Sequence, residues 1–154
     1  MSHFQLFISI FTSVMGTVGF AMVWNMENKY IPHAALNGFF TWVMYLICEA
    51  YGCGNFTATL AASLVGVLVA EFMARATRKN AAQFRISGLV CLIPGSGLYH
   101  TMDALIRSDS AMVHSYAMST SYTVFGIAGG ICLGSALMYM FKVIVDGNKN
   151  NFAY

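Results

Sequence analysis

Ile93-Pro94-Gly95-Ser96-Gly97-Leu98-Tyr99-His100 lies in the middle of an apolar run that extends from residue 86 to residue 106. Proline removes a backbone donor and glycine costs ordering entropy, so this octapeptide is a poor stretch of helix. The run around it is nevertheless long enough to cross a bilayer, which takes roughly 20 residues. A break inside a bilayer is tolerated only where the freed backbone groups meet protein, water or a ligand. Paired short helices broken near the midplane are also how many membrane carriers build a solute site. The octapeptide therefore reads as the functional centre of a helical membrane protein, and the rest of the chain as its support.

Composition fixes the class. Of 154 residues, 58% are hydrophobic and only 9% are charged. A soluble domain carries about a quarter of its residues as charges, so the chain reads as an integral membrane protein. Its length suits about five spans of roughly 20 residues, with no sizeable domain outside the bilayer. The first apolar run is too long for a signal-peptide core, lacks a basic leader, and reads as a retained span. A net charge of +2 is too small to imply nucleic-acid binding. The four cysteines, Cys48, Cys53, Cys91 and Cys132, form no CxxC pair and have no nearby histidine. They carry no metal or redox signal, and no cofactor is implied.

Outward from the break, the expected architecture is an all-α polytopic bundle, one transmembrane domain with spans at 4–24, 34–50, 56–74, 86–106 and 122–145. Ser9, Ser13, Gly16 and Gly19 form a small-residue stripe on the first span. Trp24 and the polar turn after it close that span, and Pro32 suits the start of the next helix. Glycines make residues 51–55 a tight turn. On the third span Ala58, Ala62, Gly66, Ala70 and Ala74 recur every four residues. That spacing lets a neighbouring backbone approach closely. Asp109-Ser110 is a helix start. The apolar run that follows is too long for one span, so it is divided at Ser119-Thr120-Ser121, with residues 112–118 lying at the interface. Gly126, Gly130 and Gly134 make a double GxxxG in the last span. The polar tail, 147–154, reads as disordered.

The small-residue stripes, with Ala62, Gly66, Gly126, Gly130 and Gly134 foremost, read as helix-packing surfaces. Their number favours an oligomer. Lys29, Arg75, Arg78, Lys79, Arg85, Lys142 and Lys149 fall on one side of the expected topology and Arg107 alone on the other. That bias makes the first side cytoplasmic in a plasma (inner) membrane, with the amino terminus outside and the carboxyl terminus inside.

At the break, Ser96 is the expected cap of a second half-helix. The amides of Gly97, Leu98 and Tyr99 would then be free, and such a terminus holds a carboxylate without an arginine. Pro94 and Gly95 shape the break, while Ser96, Tyr99 and Asp103 share one face of the half-helix. The alternative is a kinked structural helix with Tyr99 and His100 at the interface. Asp103, Glu49 and Glu71 are candidate proton carriers. Each has a plainer reading: Asp103 can pair with Arg107, and Glu49 and Glu71 can reach headgroups. His100 and His114 read as interfacial.

The residues so far also resemble a known family. Val18-Gly19-Phe20-Ala21-Met22-Val23-Trp24-Asn25 closes the first span, and Ala35-Leu36-Asn37-Gly38 opens the second. Phe56-Thr57-Ala58, Ala70-Glu71-Phe72-Met73-Ala74-Arg75, and Ile93-Pro94-Gly95 with Tyr99 and Met102 follow in order. Together they are similar to the threonine/serine exporter family, in its short-chain branch. The resemblance implies export of small carboxylate-bearing metabolites, threonine and serine or succinate-like dicarboxylates, and with the candidate proton carriers the expectation is coupling to the proton gradient. It also implies a separate, larger membrane subunit that supplies a complementary half. A non-transporting scaffold subunit is the competing reading, since it would use the same packing stripes. An enzyme finds no support, because no HExxH, no GxSxG and no histidine–carboxylate cluster is present.

The topology is directly testable. A cysteine placed at Arg78 is expected to react with an impermeant thiol reagent only from the cytoplasm, and one at Asn55 only from outside. The opposite pattern overturns the five-span arrangement.

Overall fold

A computed structural model describes residues 3–150, with side chains from 4 to 144. The described residues form helices joined by short turns. These are α1 (His3–Val23), α2 (Ile31–Ala50), α3 (Asn55–Thr77), α4 (Ala81–Leu89), α5 (Gly95–Ile106) and α6 (Ser110–Asn150). Short 3-10 turns occupy Asn28–Tyr30 and Val90–Leu92. Four helices are long and apolar enough to cross a bilayer, and the bent pair Ala81–Leu92 with Gly95–Ile106 makes a fifth crossing if taken as one span. The described residues thus form an all-α bundle with four to five candidate spans and a bent helix pair where the broken fourth span is expected.

Burial is inverted relative to a soluble protein. Thr17, Asn37, Thr41, Thr59, Ser63 and Ser87 are among the largest fully buried side chains. Phe4, Phe7, Phe72, Phe125 and Phe141 are all exposed. Lipid tails are as apolar as leucine, so burial of large apolar groups gives no driving force between helices in a bilayer. Close packing of small residues and buried hydrogen bonds take its place.

Helix α3 is the hub, packed against α2, α4 and α6. Its contact with α6 is made by the glycines. A Cβ at Gly126 would collide with Thr59 Oγ1, and one at Gly130 would collide with Ser63 Oγ and lie 2.6 Å from the Leu60 carbonyl oxygen. A Cβ at Gly134 would lie 2.9 Å from Val67. Gly66 makes the same provision on the opposite face, against Thr41 and Leu89. These stripes are thus occupied within the chain. Gly16 and Gly19 on α1 meet nothing within 4 Å.

Turn chemistry sets the boundaries. Gly52 adopts φ 73° in the turn between α2 and α3, a conformation in which a side chain would be strained. Asn80 caps α4 by accepting from the Ala82 amide at 3.0 Å. Asp109 accepts from the Met112 amide at 3.1 Å, as its place before α6 requires. The connection expected at 75–85, which carries Arg75, Arg78, Lys79 and Arg85, is a shorter basic loop, because α3 runs to Thr77 and α4 starts at Ala81. There Lys79 bonds Glu27 at 2.7 Å. The hydrogen bond first, and the carboxylate charge second, hold its ammonium above the ordinary lysine value.

Two expectations need correction. No division occurs at Ser119-Thr120-Ser121, because α6 is one helix of 41 residues. At 1.5 Å per residue it is about 60 Å long, twice the hydrocarbon thickness. The hydroxyls do not break it because they bond back into it. Thr120 donates to the Tyr116 carbonyl at 2.7 Å, Ser121 to Ala117 at 2.8 Å and Thr123 to Ser119 at 3.1 Å. Such i−4 bonds satisfy a hydroxyl without opening a turn. The polar tail is likewise helical as far as Asn150, since nothing after residue 144 forbids helix. Residues 151–154 of that tail lie outside the described residues.

Replacing Gly130 with Ala should therefore destabilise the chain itself by about 1–3 kcal/mol, the usual range for overpacking. The measurement is thermal unfolding of the purified protein in detergent, followed by size-exclusion chromatography. An unchanged midpoint would remove Gly130 from the α3–α6 contact.

Candidate functional site

The break is built from one proline. Pro94 has no amide and its ring crowds the carbonyl four residues earlier, so α4 tightens into a 3-10 turn at Val90–Leu92 and stops. Ile93, preceding the proline, is extended at φ −61°, ψ 123°, as sterics before proline require. Pro94 itself sits at φ −77°, ψ 60°, and the Gly95 amide bonds the Ile93 carbonyl at 2.8 Å. This is an inverse γ-turn. It turns the chain by 48° into α5.

The start of α5 is two residues earlier than the sequence suggested. Pro94, not Ser96, is the residue before the first turn, and no side chain caps it. Leu98 donates to the Pro94 carbonyl at 3.1 Å, so its amide is taken, and the Tyr99 amide belongs to the next turn. The first-turn amides without an intrahelical acceptor are those of Ser96 and Gly97. Gly97 is half-buried against Thr120, whose Oγ1 a Cβ at Gly97 would strike.

A cavity of about 230 Å³ opens at this point. Pro94, Ser96 and Gly97 line it from the break, joined by Cys91, Leu92 and Ile93. Trp42 and Tyr45 of α2, Asn55 and Thr59 of α3, and Ser119, Thr120 and Thr123 of α6 complete the wall. No Asp, Glu, His, Lys or Arg is among these lining residues. The site therefore offers backbone amides, hydroxyls and one carboxamide, and no full charge. A shallower cavity of about 570 Å³ adjoins it and shares Asn55 and Ser119. Asn55 Nδ2 donates to Ser119 Oγ at 2.9 Å, directly between the two spaces.

The sequence candidates separate on this map. Pro94, Ser96 and Gly97 face the cavity, whereas Gly95 and Tyr99 do not line it. Tyr99 points away, 68% exposed, with its ring against His100. Glu71 pairs with Arg85, which also donates to Ser135 Oγ at 3.3 Å. Asp103 pairs with Arg107 at 3.0 Å. Glu49 lies beside a separate space with Leu6, Leu46 and Ala50. None of the three carboxylates reaches the break. The sequence reading missed Trp42, Tyr45, Asn55, Thr59, Ser119, Thr120 and Thr123. The polar cluster 119–123 inside an apolar run was the visible signal, and it was read as a boundary instead of a wall. No group of three or more metal-ligating side chains occurs among the described residues.

Neither a curated protein nor a solved structure matches the chain. A family model described as "Threonine/Serine exporter, ThrE" matches residues 9–138, which include α2 to α5 whole and every residue of the break cavity. An inverted core, four to five apolar helices, a carrier-like break and this match agree: the chain belongs to the threonine/serine exporter family and is a multi-pass membrane protein of transport type.

Proposed function

We propose that the chain is the small subunit of an exporter of small carboxylate-bearing metabolites, threonine and serine or succinate-like dicarboxylates, in the plasma membrane. The supporting observation is the break cavity, lined by Ser96 and Gly97, whose amides have no intrahelical acceptor, by hydroxyl-bearing residues and by no charged side chain. A helix N-terminus carries about half a positive charge and holds an anion through its amides. An arginine in the same place would bind more tightly and release more slowly, which is a disadvantage in a carrier. At about 230 Å³ the space is smaller than the roughly 300–1,000 Å³ of pockets for drug-sized ligands, and suits a small metabolite.

The remaining roles follow from what surrounds the cavity. Glu71 and Asp103 are ion-paired, whereas Glu49 forms no ion pair among the described residues. Proton coupling through this chain is accordingly assigned to Glu49. Helix α5 packs mainly on α6 and leaves Leu98, Tyr99 and Met102 exposed. That face is where the larger subunit docks, with the basic loop on the cytoplasmic side.

Gly97→Val should lower efflux from preloaded cells at least about tenfold, equivalent to ~1.4 kcal/mol of lost solute binding, at unchanged membrane level. Tyr99→Phe should change it less than about twofold, because that hydroxyl does not reach the cavity. Wild-type efflux in Gly97→Val would reduce the break to a structural kink. Glu49→Gln should leave downhill efflux intact and remove its response to an imposed pH gradient. A retained response would move coupling to the partner.

A further inference from the structure

Helix α2 ends in a Schellman turn. Gly52 takes the left-handed conformation just past the helix. Its amide bonds the Glu49 carbonyl at 2.9 Å, and the Cys53 amide bonds the Cys48 carbonyl at 3.0 Å. In this motif the side chain just beyond the glycine comes back against the last helical turn, usually in a hydrophobic contact. Here both members of that contact are cysteines, and the Cys48 and Cys53 thiols lie within hydrogen-bond reach of each other. The spacing is not that of a CxxC pair, so only the turn geometry reveals it.

The two sulfurs differ in access, since Cys48 is buried and Cys53 is exposed. An exchange partner can therefore reach Cys53, while Cys48 stands behind it to complete the exchange. The other cysteines lie elsewhere: the Cys91 thiol donates to the Gly88 carbonyl at 3.3 Å, and Cys132 belongs to α6. The turn sits at the opposite end of α3 from the basic connection at 78–80. The bias of basic residues places that end outside the cytoplasm. Disulfides form and persist on that side of a cell membrane, whereas cytoplasmic thiols are kept reduced.

We propose that Cys48 and Cys53 form a disulfide across the α2–α3 turn, made by a disulfide-bearing thiol oxidoreductase on the outer side. Cys53 loses its proton to water and attacks one sulfur of the oxidant's disulfide. A mixed disulfide forms, and the oxidant's second sulfur leaves as a thiolate. Cys48, deprotonated in turn, attacks the Cys53 sulfur and expels the first. Two electrons pass from the cysteine pair to the oxidant, whose two thiolates take up two protons in place of those the cysteines released. The bond ties the last turn of α2, which carries Glu49, to the residues that lead into Asn55. It thereby fixes where α3 starts, at the Asn55 wall of the break cavity.

The test is thiol counting on the full chain. Cells expressing it are quenched in acid, and the denatured protein is treated with a maleimide polymer before and after reduction. Without reductant only Cys91 and Cys132 should react, and Cys48 and Cys53 should join them after reduction. Cys53→Ser should make Cys48 reactive without reductant, and Cys48→Ser should do the same for Cys53. Reductant should lower the thermal midpoint of the wild-type chain in detergent by about 5 °C, a modest shift because the closed loop is short, and leave that of Cys53→Ser unchanged. Full reaction of Cys48 and Cys53 in the wild-type chain without reductant overturns the bond. A reducible dimer that Cys53→Ser abolishes also overturns it, because the partner sulfur then lies on another chain. An equal response to reductant in the wild-type chain and Cys53→Ser overturns its hold on the turn.

Discussion

In hydrocarbon, a backbone amide that loses its acceptor has no water to turn to, and this constraint governs the whole chain. Pro94 breaks one helix, and every element around the break answers for the groups so released. The carbonyl of Ile93 is taken by Gly95 through a γ-turn, and that of Pro94 by Leu98. What remains are the amides of Ser96 and Gly97, two residues that line a cavity walled by α2, α3 and α6. Protein thus walls one side of the break, the condition under which freed backbone groups are tolerated in a bilayer.

Enclosure in turn depends on how closely α6 can lie against α3. Side chains at Gly126 or Gly130 would collide with Thr59 or Ser63, pushing α6 away and opening the cavity wall it supplies through Ser119, Thr120 and Thr123. The hydroxyls of Thr59 and Ser63 bond back to carbonyls of their own helix. This keeps them short, satisfied and compatible with a glycine opposite. Polar cores of this type hold where a hydroxyl finds a carbonyl within a turn. Asn37, like Trp42 and Asn55, ties two helices: its Nδ2 reaches the Phe84 carbonyl at 2.9 Å, packing tightly against Gly88.

Much of this was legible in the sequence. The membrane class, the broken fourth span, the tight turn at Gly52 and the helix start at Asp109 each follow from local chemistry that tertiary contacts do not overrule. The cavity wall was less legible for two reasons. Ser119-Thr120-Ser121 looks like a boundary on composition alone, because i−4 hydroxyl bonding that preserves a helix leaves no mark in the sequence. The cap at the break was misplaced for a related reason. Ser96 has the right side chain for a cap, but the γ-turn at Pro94 starts the helix first and leaves Ser96 inside its opening turn. Trp42 was missed because a tryptophan in an apolar span reads as packing until its indole N–H is seen to reach across to Ser9.

The absence of charge in the lining of the break cavity is itself an argument about mechanism. A carboxylate leaving water for a low-dielectric space needs compensation, and a fixed cation supplies it at the expense of a deep well. Two amides at a helix start, backed by hydroxyls that can turn to donate or accept, supply less and let go sooner. The chain's arginines are placed consistently with this. Arg85 is held by Glu71 and Ser135, and Arg107 by Asp103, each away from the cavity. The first set ties α4 to α3 and α6, and the second pair stays at the end of α5. The break itself is left without a full charge, and on the proposed reading a neutral break of this kind would suit rapid passage of an anion.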